Sequence, residues 1–359
     1  MRYIEEYRDR ELILKLAGHI RNTAKGKYSF MEVCGGHTSS IHRFGIPSLL
    51  PPGINLVSGP GCPVCVTSTD FIDKAILYSQ RPGVVIVTFG DLLRVPGSYS
   101  SLEKEKLKGA DIRILFSGIE ALNIARSNKD KTIIFLGIGF ETTAPGTAVT
   151  VKQAVEEGLS NFLLLSAHKV MPPVMEALVR EGIQIDGFIC PGHVAAITGS
   201  RIFEFLPEKY GLGCVVAGFE PTDLLHSVLM LVRQVNMKSP SLEIQYTRAV
   251  TLNGNKIAQN HLSELFEFCD ANWRGFGIIP GSGLRLKNQY EEFDAEKRIP
   301  LTLGSVKENP FCICGDVLRG IKKPDNCSLF RVACTPENPV GACMVSAEGA
   351  CNSYYKYSQ

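Results

Sequence analysis

Apolar residues fall along the chain in two textures. Runs such as Val84–Phe89 and Ile133–Ile138 are dense in β-branched and aromatic residues and have strand length, while Thr69–Ser79 has helical spacing. The stretches 55–58, 112–116, 162–165, 187–190 and 214–217 continue the strand series. Short apolar strands alternating with helical segments predict βαβ units and parallel sheets. Near the N-terminus, Ile4, Tyr7, Leu12, Leu16 and Ile20 predict an amphipathic helix, and the charges from Arg2 to Glu11 interrupt any signal-peptide core. Towards the C-terminus the pattern predicts a strand over 246–252, a turn at Asn253-Gly254-Asn255, a helix over 262–272 and a Gly-rich loop over 275–283.

Polar and Gly-containing loops follow the strands in a repeated order. His37 and Cys62 are 25 positions apart, as are His168 and His193, and an acidic residue follows in each half, Asp91 and then Glu220. The expected fold class is therefore α/β: two similar parallel-sheet domains from an internal duplication, plus a smaller Cys-rich domain. The boundaries read as an N-terminal helix over 1–25 packed on the third domain, α/β domains over 26–125 and 126–238, and a C-terminal domain over 239–359. Loops at the carboxyl ends of parallel strands line binding crevices. Cys34, His37, Cys62, Cys65, Asp91, Glu141 and His168 all belong to such loops.

Composition narrows the classes. Hydrophobic residues make up 45% and charged residues 21% of the 359, a globular balance with ample apolar side chains for a core. The formal net charge of +2 and the lack of like-charge runs point away from nucleic acid, and no apolar stretch reaches membrane-span length. A cytoplasmic protein is expected. Its 12 cysteines then read as metal ligands, redox groups or buried core residues rather than a disulfide frame. Cys190, Cys214 and Cys269 suit the core.

Cys62-Pro63-Val64-Cys65 is a CxxC, read as a redox dithiol or as half of a metal site completed by Cys34 and His37. Cys34 in Cys-Gly-Gly-His offers a soft thiolate where two glycines let a ligand approach, and His37 adds a proton carrier or second ligand. Cys312, Cys314, Cys327, Cys334, Cys343 and Cys351 crowd the tail. Four thiolates hold a cubane iron–sulfur cluster or a zinc ion; the irregular spacing and absence of paired CxxC motifs lean to iron–sulfur, with disulfides as the third reading. The Gly-rich segment 137–146 lacks a dinucleotide or P-loop fingerprint.

Taken together, Cys-Gly-Gly-His-Thr at 34–38, Gly-Pro-Gly-Cys-Pro-Val-Cys at 59–65, Gly-Phe-Glu-Thr-Thr-Ala-Pro at 139–145, Pro-Gly-His-Val at 191–194 and the tail from Cys334-Thr335-Pro336 to Cys351 resemble the HypD family. The likeness runs from about residue 30 to the C-terminus, with Ala347 where Ser is usual. It implies a [NiFe]-hydrogenase maturation scaffold that holds iron and receives cyanide ligands while the Fe(CN)2CO centre is assembled. The expected partners are a HypC-like small chaperone and a HypE-like cyanide donor, with HypF upstream. It also implies a [4Fe-4S] cluster in the tail domain. By motif, Cys34 matches the thiolate on the assembling iron, Cys62 and Cys65 the redox dithiol with His37 beside them, and Glu348 the acidic tail residue. Cys312, Cys327, Cys334 and Cys351 are the expected cluster ligands, with Cys314 or Cys343 as substitutes. The competing readings are a stand-alone iron–sulfur-dependent thiol/disulfide oxidoreductase and a zinc-stabilised binding module.

Overall fold

A computed structural model describes residues 5–358. Eleven strands form two parallel sheets and one hairpin. The first sheet contains β1 (Tyr28–Glu32), β2 (Ile54–Ser58), β7 (Gly187–Pro191), β8 (Gly213–Ala217) and β9 (Leu242–Ile244), in the order β2-β1-β7-β8-β9. The second contains β3 (Val84–Thr88), β4 (Ile112–Ile114), β5 (Thr132–Gly139) and β6 (Phe162–His168), in the order β4-β3-β5-β6. Every pairing within these two sheets is parallel. All residues of β3, β7 and β8 are buried, as expected for strands covered on both faces.

Two similar α/β units are present, and both sheets wind alike: the second strand of each unit lies outside the first, and the third and fourth follow on the other side. They are nested rather than consecutive. The strands of the second sheet all lie in the chain between β2 and β7 of the first. Strand pairing therefore does not follow the expected division at 125/126. The local 25-residue spacing reports similar strand–loop steps, whereas strand partnership is set by long-range packing.

The N-terminal region also differs from expectation. The helix Arg10–Thr23 starts at an Asp9 cap. It packs on the helix Pro221–Met237 of the first unit, not on a third domain; Ile20 joins Leu224, Leu225 and Val228 in one core. Ile4, part of the expected helix pattern, lies outside the described residues.

The segment after 239 is distributed among three places. β9 completes the first sheet. The hairpin of β10 (Phe266–Trp273) and β11 (Gly277–Leu286) packs on the second unit, where Leu265, Phe266, Leu284 and Leu286 share a core with Val85, Phe135 and Leu164. The expected helix over 262–272 is instead the end of the helix Lys256–Leu265 followed by β10, and the expected loop over 275–283 is mostly β11. Apolar Phe266 and Phe268 satisfy either period; pairing with β11 decides for strand. The expected strand at 246–252 is irregular chain, because the edge position beside β8 is taken by β9. The Cys-rich tail carries short helices at Cys314–Leu318, Ala342–Val345 and Ala350–Tyr357, with a small core of Phe330, Cys334 and Met344.

Candidate functional site

In each sheet the winding reverses between two adjacent strands, β1 and β7 in the first, β3 and β5 in the second. Ligands bind at such switch points, beyond the carboxyl ends of the strands. Here the two switch points open into one cavity of about 380 Å³. Cys34 follows β1, Pro191 ends β7 and His193 follows it, Gly90 and Asp91 follow β3, and Gly139 ends β5 with Thr142 and Thr143 after it; the tail adds Ser346 and Glu348.

Cys34 is the N-cap residue of the helix Gly35–Arg43, with an extended backbone at φ −146° and no capping bond from its thiol. The neighbouring carboxyl fixes the turn instead. Glu32, buried at the end of β1, accepts the Cys34 backbone N–H at 3.0 Å through Oε2 and the Thr38 hydroxyl through Oε1. The thiol is thus left to face the cavity. Burial, then the Glu348 charge, push the Cys34 thiol up to about 12. Burial likewise pushes Glu32 up to about 8. Asp91 Oδ2 lies 3.0 Å from Ser346 Oγ. Desolvation, with Asp91 next, raises Glu348. Cys34, Asp91 and Glu348 line this one cavity, where a cation's charge would favour the thiolate that burial disfavours.

Cys62 and Cys65 are joined by a disulfide behind the cavity wall formed by Pro63 and Val64. They are 3% and 0% exposed. His37 is placed away from the cavity: its Nε2–H donates to Ala217 O at 3.2 Å, its ring stacks on Phe219, and burial lowers it to about 4. It is a neutral, packed histidine bracing the Cys34 helix against β8. Glu141 and His168 also turn away. Glu141 Oε1 accepts the Met171 N–H at 2.9 Å, and His168 Nε2 meets Thr147 Oγ1 at 2.9 Å. His193, by contrast, is exposed at the cavity mouth and stacks on Phe219 at 3.7 Å. An adjoining cavity of about 730 Å³ shares His193 and Glu348 and runs over Ser39 and Ser40.

The six tail cysteines form a chain of neighbours. Cys314 contacts Cys312 and Cys343, and Cys343 contacts Cys351. Cys351 also faces Cys312 and Cys334, and Cys334 faces Cys327. Cys314 and Cys343 are buried; Cys312, Cys327 and Cys351 are partly open. The Cys314 thiol and burial push Cys312 up, the Cys314 and Cys351 thiols and burial push Cys343 up, and the Cys312 and Cys343 thiols hold Cys314 down. Among the described residues no three His, Cys, Asp or Glu side chains stand in a metal-holding arrangement. The donor chemistry nonetheless fits a thiolate-bound cluster. Six thiols in one continuous chain of neighbours exceed the four that such a cluster takes.

The tail also meets the first cysteines. The helix Ala342–Val345 packs on the helix Pro63–Val66 that carries Cys65. The tip of the β10–β11 hairpin bridges the same region, where Arg274 donates its backbone N–H to Val66 O at 3.0 Å and its Nε–H to Thr67 O at 2.9 Å.

A family model described as the hydrogenase formation hypA family, named HypD, matches residues 11–358. The chain belongs to the HypD family of hydrogenase maturation factors. It is 45% identical to hydrogenase maturation factor HypD2 of Bradyrhizobium diazoefficiens, covering all of this chain and 97% of that protein. It is 46% identical to HypD of Rhizobium leguminosarum bv. viciae, over 100% and 96%, and 44% identical to HypD of Cupriavidus necator, over 100% and 98%.

Within this HypD chain, sequence reasoning placed Cys34, Asp91 and Glu348 where the fold brings them together. It missed Glu32, whose signal was an acidic residue ending an apolar strand two positions before a cysteine. It also missed Ser346, which no local pattern marks. Among the described residues no helix is long and apolar enough to cross a membrane.

Proposed function

We propose that the protein holds iron at Cys34 and receives cyanide ligands there during assembly of the Fe(CN)2CO centre of nickel–iron hydrogenases. The observation that carries this reading is the joint cavity, with a thiol and a carboxyl group at facing switch points, a second carboxyl group from the tail and a disulfide immediately behind its wall. The iron is cargo. Cys34 supplies its soft ligand, and Asp91 and Glu348 balance its charge.

Releasing cyanide from a thiocyanate-type donor breaks a carbon–sulfur bond and takes two electrons. In the reduced state Cys62 and Cys65 supply them: the pair forms its S–S bond and gives up two protons, cyanide passes to the iron as an anion, and the donor sulfur leaves as a thiol. Cys312, Cys327, Cys334 and Cys351 would hold a [4Fe-4S] cluster, which supplies reducing equivalents when bound. Cys314 and Cys343, in contact with each other and next to the Cys65 helix, sit on the way from the tail to that pair.

A HypC-like chaperone bringing a second iron ligand and a HypE-like donor, fed by HypF, have room at the adjoining cavity over Ser39, Ser40 and His193.

Cys34→Ser is expected to abolish iron–cyanide loading, read as the infrared cyanide and carbonyl stretches of the purified partner complex. Tail iron and acid-labile sulfide should stay at the wild-type level. Loading that survives in this variant rejects the assignment of Cys34.

A further inference from the structure

Glu348 reaches the Cys34 cavity from a segment held at both ends by tail cysteines. Cys343 precedes it by five residues and Cys351 follows it by three. The turn between them is closed tightly. A Cβ on Gly349 would lie 2.1 Å from the Cys343 carbonyl oxygen, so only glycine fits. Gly349 N–H donates to Ser346 O at 2.9 Å, and Asn352 Nδ2 donates to Met344 O at 2.8 Å. The apex therefore cannot shift unless Cys343 and Cys351 shift with it.

The apex fits the cavity as closely as its ends fit the tail. A Cβ on Gly35, the residue after Cys34, would lie 2.5 Å from Glu348 Cβ and 2.9 Å from its Oε2. The helix Ala350–Tyr357 lies along the Cys34 helix, where Tyr354 meets His42 at 4.3 Å between ring centres. At the other end Cys343 contacts Cys314, and Cys351 faces Cys312 and Cys334.

We propose that residues 343–351 act as a tether, placing the Glu348 carboxylate over Cys34 only when the tail thiols are assembled, so that the state of the tail sets cation affinity at the cavity. This rests on the reading of Cys34 as an iron-holding thiolate. The physical reason is the range of the contact. A carboxylate oxygen serves a cation at about 2 Å, and a displacement of one or two ångströms at either end of so short a segment removes it. By linkage the coupling runs both ways: a cation at Cys34 favours the assembled tail.

The test titrates Co²⁺ alone into anaerobic full-length protein and follows thiolate-to-cobalt absorption, with the matching Cys34→Ser version of each protein subtracted. Cys334→Ser disturbs the tail far from the cavity and should weaken Cys34-dependent Co²⁺ binding at least tenfold. Gly35→Ala should weaken it equally while leaving tail iron and sulfide unchanged. Gly35 is not in the left-handed region, so alanine is compatible with its helix. The double variant should be no weaker than the weaker single one. Should circular dichroism show that Cys334→Ser is unfolded, wild type stripped of tail iron by a chelator takes its place and should show the same loss. Wild-type Co²⁺ affinity with a disassembled tail overturns the tether even if Cys34 binds the metal. Absence of any Cys34-dependent band in wild type overturns the underlying reading, and the tether with it.

Discussion

Two buried acidic residues, Glu32 and Glu141, have different work to do. Glu32 has its oxygens occupied by the Cys34 N–H and the Thr38 hydroxyl, and so fixes the thiol's direction. Glu141 has one oxygen on the Met171 N–H and a second with no partner, and burial raises it from 4.5 to about 7. Because its folded pKa lies above the unfolded one, the folded state keeps its proton longer. Stability is therefore greatest below the unfolded value and falls as the pH rises from about 4.5 through 7. Glu141→Gln should flatten that part of the stability–pH curve, removing a change on the order of 2 kcal/mol. Urea unfolding at intervals between pH 5 and 8 checks it; an unchanged slope rejects the assignment. A motif string marked Glu141 and none marked Glu32; whether either side chain faced the cavity or the core depended on neighbours far away in sequence.

The β10–β11 hairpin was the element least legible in the chain, and it is central to the site's surroundings. Trp273, fully buried and the single tryptophan, donates its Nε1–H to Ser282 Oγ at 2.8 Å and stacks on Phe140 beside the cavity. Its backbone bridges Thr67, two residues after the dithiol. Trp273→Phe loses the hydrogen bond and some packed volume, and should cost about 1–3 kcal/mol. Guanidinium unfolding followed by circular dichroism measures it; a change below a few tenths of a kcal/mol would mean that the hairpin does not brace this region. β3, β5, β7 and β8 were readable because both of their faces are buried and their sequences are almost continuously apolar. β10 alternates between buried and exposed residues and follows a helix directly, so its local pattern was ambiguous.

For the whole molecule the decisive fact is the nesting of one unit within the other. A chain divided at 125/126 separates β3 and β4 from β5 and β6, and β1 and β2 from β7 to β9. The fragments 1–125 and 126–359 should each lack a cooperative unfolding transition when expressed alone, and calorimetry of either would show it. A sharp transition in one fragment contradicts the interdependence of the sheets.

Local chemistry was carried by the sequence itself. It specified α/β texture, a thiol in a Gly turn, a CxxC after a strand and a thiol-rich tail, because strand burial, turn residues and cysteine spacing act over a few residues. The tertiary structure decided which strands share a sheet, that His37, Glu141 and His168 face the interior, and that Glu348 crosses to Cys34. Those outcomes follow from packing between segments as much as 300 residues apart, whose energies no local window contains.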